Sequence, residues 1–184
     1  AHDGDSENNV APAVGVRGEM LLTRTHGSFT EYLAPSLSLF TRFPSEDNPK
    51  IMLESADSLP DGTFTGFGFD WWLAKQNHTV VRTRLRGSYN IEEGEFSDST
   101  FEYHAMVSRL VSVAGQQLFN PSSEGIRENV NDLFLTTDRW YFTVGNRYVR
   151  DAFNGLTASA VTRFGDWELG ADVSWDLDRE ASNR

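Results

Sequence analysis

Three arginines at alternate positions, Arg82, Arg84 and Arg86, are the side chains of this sequence whose type and spacing most invite chemistry. On an extended backbone, residues two apart share a face, so the three guanidiniums line one wall. Such a wall needs water, carboxylates or an anionic ligand. It reads either as a positive stripe that meets anionic groups of a passing ligand, with Asp70 beside it, or as a hydrated strand face paired across to Asp70, Glu102 or their neighbours. Other candidates carry less. Glu92 and Glu93 have the makings of an acid–base pair, but they share a Gly-containing acidic turn with Glu95 and Asp98, where charges are ordinarily solvated. The histidines at 2, 26, 78 and 104 lack any short metal-ligand spacing, so neither a metal nor a cofactor is expected. No G-x-S-x-G nucleophile motif is present, and the chain is read as non-enzymatic. The triplet Asn77–Thr79 matches a glycosylation acceptor, a pattern short enough to arise by chance.

Composition narrows the class further. The sequence holds 27 carboxylates against 16 Lys and Arg, a net charge of −11, which repels phosphate backbones and excludes general nucleic-acid binding. The absence of cysteine removes disulfides, thiolate metal sites and thiol nucleophiles. No apolar run approaches the roughly 18 residues of a membrane helix. The first residues are acidic and polar, so neither a helical span nor an uncleaved signal peptide is expected. At 184 residues the chain fits one domain. Residues 1–15 lack periodicity and read as a flexible segment, leaving 16–184 as a single barrel-like unit.

The elements that would position the arginines are strands. In "DWELGADVSWDL", Asp166 to Leu177, the residues Trp167, Leu169, Ala171, Val173, Trp175 and Leu177 fall on one side, and Glu168, Gly170, Asp172, Ser174 and Asp176 on the other. A helical period would scatter the carboxylates among the indoles. The same two-residue period predicts strands near 16–24, 29–43, 63–75, 79–91, 101–113, 139–149, 156–164 and 167–177, an antiparallel all-β meander of about eight strands. Gly165-Asp166 supplies a tight turn between the last two. Pro35 falls inside the second, which marks an edge, a bulge or weak pairing. Pro44–Gly62 reads as a long loop. Ile126, Val130, Leu133 and Phe134 recur at helical spacing after Asn120-Pro121, which predicts a short helix or structured loop near 121–135.

Alternation of this kind suits two opposed architectures. A soluble barrel or sandwich points its apolar faces inward, whereas an outer-membrane barrel turns them to lipid and keeps a wet interior. Aromatics near strand ends, apolar rows rich in Ala and Thr, and strands about twice the average length favour the membrane. On that reading Trp167, Leu169, Val173 and Trp175 face lipid, and Asp70 and the arginine row line the interior.

The stretches "RGEMLLTRTHGSFTEYLAPSLSLFTRFP", "GFGFDWWLAKQNHTVVRTRLRGSYNI" and "WYFTVGNRYVRDAFNGLTASAVTRFGDWELGADVSWDLD" resemble successive strands of the lipopolysaccharide-assembly barrel family of Gram-negative outer membranes. Arg24, Pro35 and Pro44 echo that family's Arg-containing strand and its segment ending in proline before a long extracellular loop. Trp175-Asp176 echoes its strand endings. The family's disulfide-forming cysteines have no counterpart here, and none of its functional residues matches position by position. The resemblance implies an outer-membrane barrel acting in transport or assembly of envelope lipids, with membrane lipid, lipopolysaccharide or other envelope-assembly proteins as partners. The alternative is a soluble periplasmic or secreted barrel or sandwich that binds a hydrophobic ligand.

Overall fold

The computed structural model of the chain describes residues 13–42, 62–76, 78–122 and 125–177. The expected flexible segment 1–15 and the expected loop Pro44–Gly62 lie outside that range, apart from 13–15 and Gly62. The described residues form one antiparallel sheet of twelve strands. These are β1 (Ala13–Glu19), β2 (Leu22–His26), β3 (Phe29–Arg42), β4 (Gly62–Lys75), β5 (His78–Asn90), β6 (Glu95–Phe96), β7 (Ser99–Met106), β8 (Val111–Asn120), β9 (Gly125–Thr136), β10 (Trp140–Val149), β11 (Phe153–Phe164) and β12 (Trp167–Asp176). The path runs β1-β3-β4-β5-β7-β8-β9-β10-β11-β12, with β2 on β3 and β6 on β5. β1 and β12 are not paired with each other, so the sheet is open among the described residues.

Twelve strands replace the expected eight; one addition is the two-residue β6 in the acidic turn, and the other three have local reasons. Val107 and Val111 keep the same alternation as β7 and β8, so a single strand over 101–113 was the natural reading. Ser108 breaks it, because its Oγ accepts from Leu110 N at 3.2 Å and Val111 N at 3.1 Å and closes a turn without Gly or Pro. The expected helix near 121–135 is β9. Asn129 and Asn131 occupy apolar-face positions there, which blurs the two-residue period and leaves an accidental helical spacing of apolar residues. Gly125, at φ 85°, starts the strand beside a register shift rather than sitting inside a helix.

The third reason is Pro35. β1 and β2 pair with β3 in one continuous register, Glu19 with Ser36 and Leu22 with Leu33, yet the ladder lapses at Met20 and Leu21 between them. Met20 N donates to Pro35 O at 3.2 Å. The reciprocal bond needs an N–H that proline lacks, so the strand is interrupted there and divides into two.

The connections sort by end. Residues 27–28, 76–77, 107–110, 137–139 and 165–166 turn the chain at one end, and 43–61, 91–98, 121–124 and 150–152 join it at the other. Gly27 and Gly165 take φ near 60° in two of the three two-residue turns, as hairpin geometry requires.

Register fixes two faces across the whole sheet. Leu22 pairs with Leu33, Leu33 with Trp71, and the row continues through Thr83, Tyr103, Gly115, Asn131, Asn146 and Leu156 to Trp175. This face carries most of the large apolar side chains. The opposite face carries Asp70, the arginines, Glu102, Glu128 and Asp172. Burial runs against ordinary globular practice. Leu37, Leu169, Val144 and Val16 on the apolar face are half or more exposed, whereas Ala34, Phe64, Ala74, Ser88 and Asn90, all on the polar face, are buried. Phe64 stacks on Phe40 there at 5.3 Å between ring centroids. Beside them the Asn90 side chain accepts from Glu92 N and Glu93 N, and donates to Glu93 Oε2 at 2.7 Å. The acidic turn is thus anchored by an asparagine.

Candidate functional site

Asp70 on β4 is in register with Arg84 on β5, which is in register with Glu102 on β7. All three project from the polar face, and the ladder brings them together as cross-strand neighbours. Arg82, two residues nearer the short-turn end, reaches diagonally to Asp70: its Nε lies 3.0 Å from Oδ1, and its Nη2 2.5 Å from Oδ2. This is the bidentate fork to which a guanidinium is suited. Arg84 adds longer contacts to Asp70 Oδ2 at 3.4 Å and donates from Nη1 to Glu102 Oε2 at 3.0 Å. The Arg82 guanidinium also sits 5.7 Å from the ring centroid of Trp72. Trp72 in turn stacks on Tyr32 of β3 at 4.9 Å with planes 8° apart. Arg82 is therefore held from two sides, by a carboxylate and by an aromatic face.

Asp70, Arg82 and Arg84 are gathered as the alternation predicts, and the cross-strand pairing reading describes two of the three arginines. Asp70 and Glu102 balance the charge of Arg82 and Arg84. Arg86 differs: it stands opposite Gly68 and Thr100, and makes no ion pair among the described residues. Tyr32 and Trp72 are participants that sequence reasoning did not single out. Their signal was present in the pattern, since both rings alternate onto the face that carries Asp70 and the arginines, and they stand in register with each other.

Further ion pairs continue along the polar face. Arg147 meets Glu128 at 3.1 Å, and Arg163 meets Glu168 at 3.0 Å. Each such pair, open to solvent, contributes at most about 1 kcal/mol. Their shared effect is to lay complementary charge along one side of the sheet.

The opposite side holds the residues expected to face lipid. Trp167 is 74% exposed, Leu169 61%, Val173 48% and Trp175 49%. Trp140 and Trp167 begin their strands, and Tyr148 and Trp175 come one residue before the ends of theirs, so aromatic rings mark both margins of the face. A polar spot interrupts it. The Tyr103 ring lies over Gly115, where a Cβ would come within 2.5 Å of it, and its hydroxyl donates to Asn131 Oδ1 at 2.7 Å. No protein-family model matches the chain, and no curated protein matches it.

Proposed function

We propose that the chain is a β-barrel protein, or part of one, of a Gram-negative outer membrane. On this reading it acts without catalysis in the transport or assembly of envelope lipids such as lipopolysaccharide. The observation that carries the membrane reading is the inverted burial: large apolar side chains are the exposed ones, and the ion-paired face is the more covered. Water does not tolerate so extended an apolar surface, and lipid does. Dimensions agree with this. A ten-residue strand such as β10, tilted by about 35–45°, rises about 25 Å, the height of a barrel's apolar band. Short turns at one end and a longer connection at the other follow the outer-membrane arrangement, which puts the short turns in the periplasm. The lipid-transport reading rests on the strand resemblance, and Arg86 is its point of contact with an anionic group.

Closure of the sheet belongs to the same proposal. The path holds ten strands, counting β1 and β2 as one interrupted strand, and an even number lets the outer strands meet antiparallel. The apolar face takes even residues on β1 and odd residues on β12, so an even residue must meet an odd one. A tilt of about 35–45° over ten strands slides the register by roughly ten to fourteen residues. From the row ending at Trp175, that slide sets Val16 opposite Ala171, Leu169 or Trp167.

The test is behaviour without detergent. The expected result is a chain that is monodisperse only in detergent or lipid, with tryptophan fluorescence quenched by bromine on the lipid acyl chains. A monodisperse, unquenched protein in plain buffer refutes the membrane reading and favours a soluble barrel that binds a hydrophobic ligand.

A further inference from the structure

The apolar face is not wholly apolar, and its charges are not scattered. Among the paired residues of the described strands, its Lys, Arg, Asp and Glu side chains are Arg24, Glu31 and Lys75. All three lie in one corner, at the short-turn end of β2, β3 and β4. Arg24 is in register with Glu31, and Glu31 with Leu73; two residues further toward the turns, His26 meets Phe29, Phe29 meets Lys75, and Lys75 meets His78. Two basic side chains and two imidazoles thus share this corner with a single carboxylate. Glu31 is engaged sideways, accepting from Trp71 Nε1 at 2.7 Å, and Lys75 Nζ sits 5.5 Å from the Phe29 ring centroid. Neither Arg24 nor Lys75 makes an ion pair among the described residues. Beside Arg24 the surface dips into a shallow hollow of about 340 Å³, lined by Arg24, His26, Phe29, Glu31 and Leu73, with Lys75 on the neighbouring strand position across from Phe29.

We infer that this corner binds the phosphate headgroup of an anionic phospholipid, and the inference rests on the membrane reading above. The charge is complementary: a phosphate would find Arg24 and Lys75 as donors, with His26 at the rim of the same hollow. The position fits as well. Cations at the end of an apolar face reach the headgroup level, while Leu73, Leu33 and Leu22 continue the wall along which an acyl chain lies. Phospholipid is chosen over lipid A because the short turns place this end in the periplasmic leaflet, which is phospholipid.

The experiment uses the full chain in mixed micelles holding equal amounts of phosphatidylcholine, phosphatidylglycerol and lipid A, and reads the retained lipid by native mass spectrometry. Phosphatidylglycerol is expected to be retained in preference to phosphatidylcholine. Arg24→Gln and Lys75→Gln should each reduce that ratio by about fivefold, the weight of one basic residue at a lipid surface. Arg163→Gln, on the opposite face, should leave it unchanged. Urea unfolding of each variant confirms that the fold persists. A ratio of one, or a ratio unmoved in the double variant, overturns the inference while the membrane reading stands. Preferential retention of lipid A overturns the choice of ligand. Failure of the chain to enter vesicles of either phospholipid removes the membrane reading and this inference together.

Discussion

Arginine placed on the apolar face should cost most at mid-strand, least at the strand ends, and little on the opposite face. Val144 is the fifth of ten residues in β10, in register with Leu133 and Ala158, and is 53% exposed. Val144→Arg therefore sets a guanidinium near the middle of the band with aliphatic neighbours on either side. The expected loss is about 2–4 kcal/mol, a fall of about 30-fold to roughly 900-fold in the folded-to-unfolded ratio. Phe164, last in β11 and 78% exposed, marks the margin, and Phe164→Arg should cost about 0–1 kcal/mol. Thr143→Arg points to the polar face beside Ser159 and should fall within about 1 kcal/mol of wild type. Urea titrations in phospholipid vesicles, followed by tryptophan fluorescence, measure all three. Equal penalties at 143 and 144 would refute the assignment of faces. A penalty at 164 as large as at 144 would refute lipid as the surrounding medium, because a protein core does not grade its cost by depth.

Four further outcomes follow from the same geometry. With no native cysteine to interfere, Val16→Cys paired with Ala171→Cys, Leu169→Cys or Trp167→Cys in turn should give an intramolecular cross-link in one combination; only intermolecular cross-links would refute closure within one chain. Asp70→Asn removes the carboxylate charge that both Arg82 and Arg84 contact, and should lower stability by about 1 kcal/mol in the same urea assay, given the partial exposure of the group. Gly115→Val drives a side chain into the Tyr103 ring and should cost about 1–3 kcal/mol, more than Tyr103→Phe, which removes only the hydroxyl bond to Asn131. Pro35→Ala supplies the missing donor opposite Met20, and hydrogen exchange should show the new amide protected; rapid exchange there would mean that the gap has another cause.

The faces were legible in the sequence because alternation is a property of each strand by itself. Phe67, Phe69, Trp71 and Leu73 stand opposite Gly66, Gly68, Asp70 and Trp72 on the page and in the sheet. Where the chain departs from the pattern, the reason is local chemistry that the pattern does not encode. A serine hydroxyl ends β7, a missing proline donor divides β1 from β2, and two asparagines on the apolar face disguise β9. The Asp70–Arg82 contact was half legible. Alternation placed both residues on wet faces, but the diagonal reach depends on the register between β4 and β5, which no single strand reveals. The corner of Arg24, Glu31 and Lys75 was hidden for the same reason, since its members lie on three strands and meet only through pairing.

The arrangement of connections bears on how the chain assembles. Apart from the β1/β2 gap and the β6 fragment, every strand pairs with its neighbours in sequence, and five short turns define five hairpins: β2–β3, β4–β5, β7–β8, β9–β10 and β11–β12. Each can form from its own residues without waiting for distant parts of the chain. Joining β3 to β4 is different, because residues 43–61 must be closed into a loop, at an entropic cost about 2 kcal/mol above that of a two-residue turn. The β2–β3 hairpin should therefore be the last to dock onto the growing sheet. It brings with it β1, an outer strand whose free side has no turn to align it. On the proposed closure, any slip in register would accumulate where β1 meets β12, and a one-residue error would turn the apolar side of β1 toward the charged side of β12.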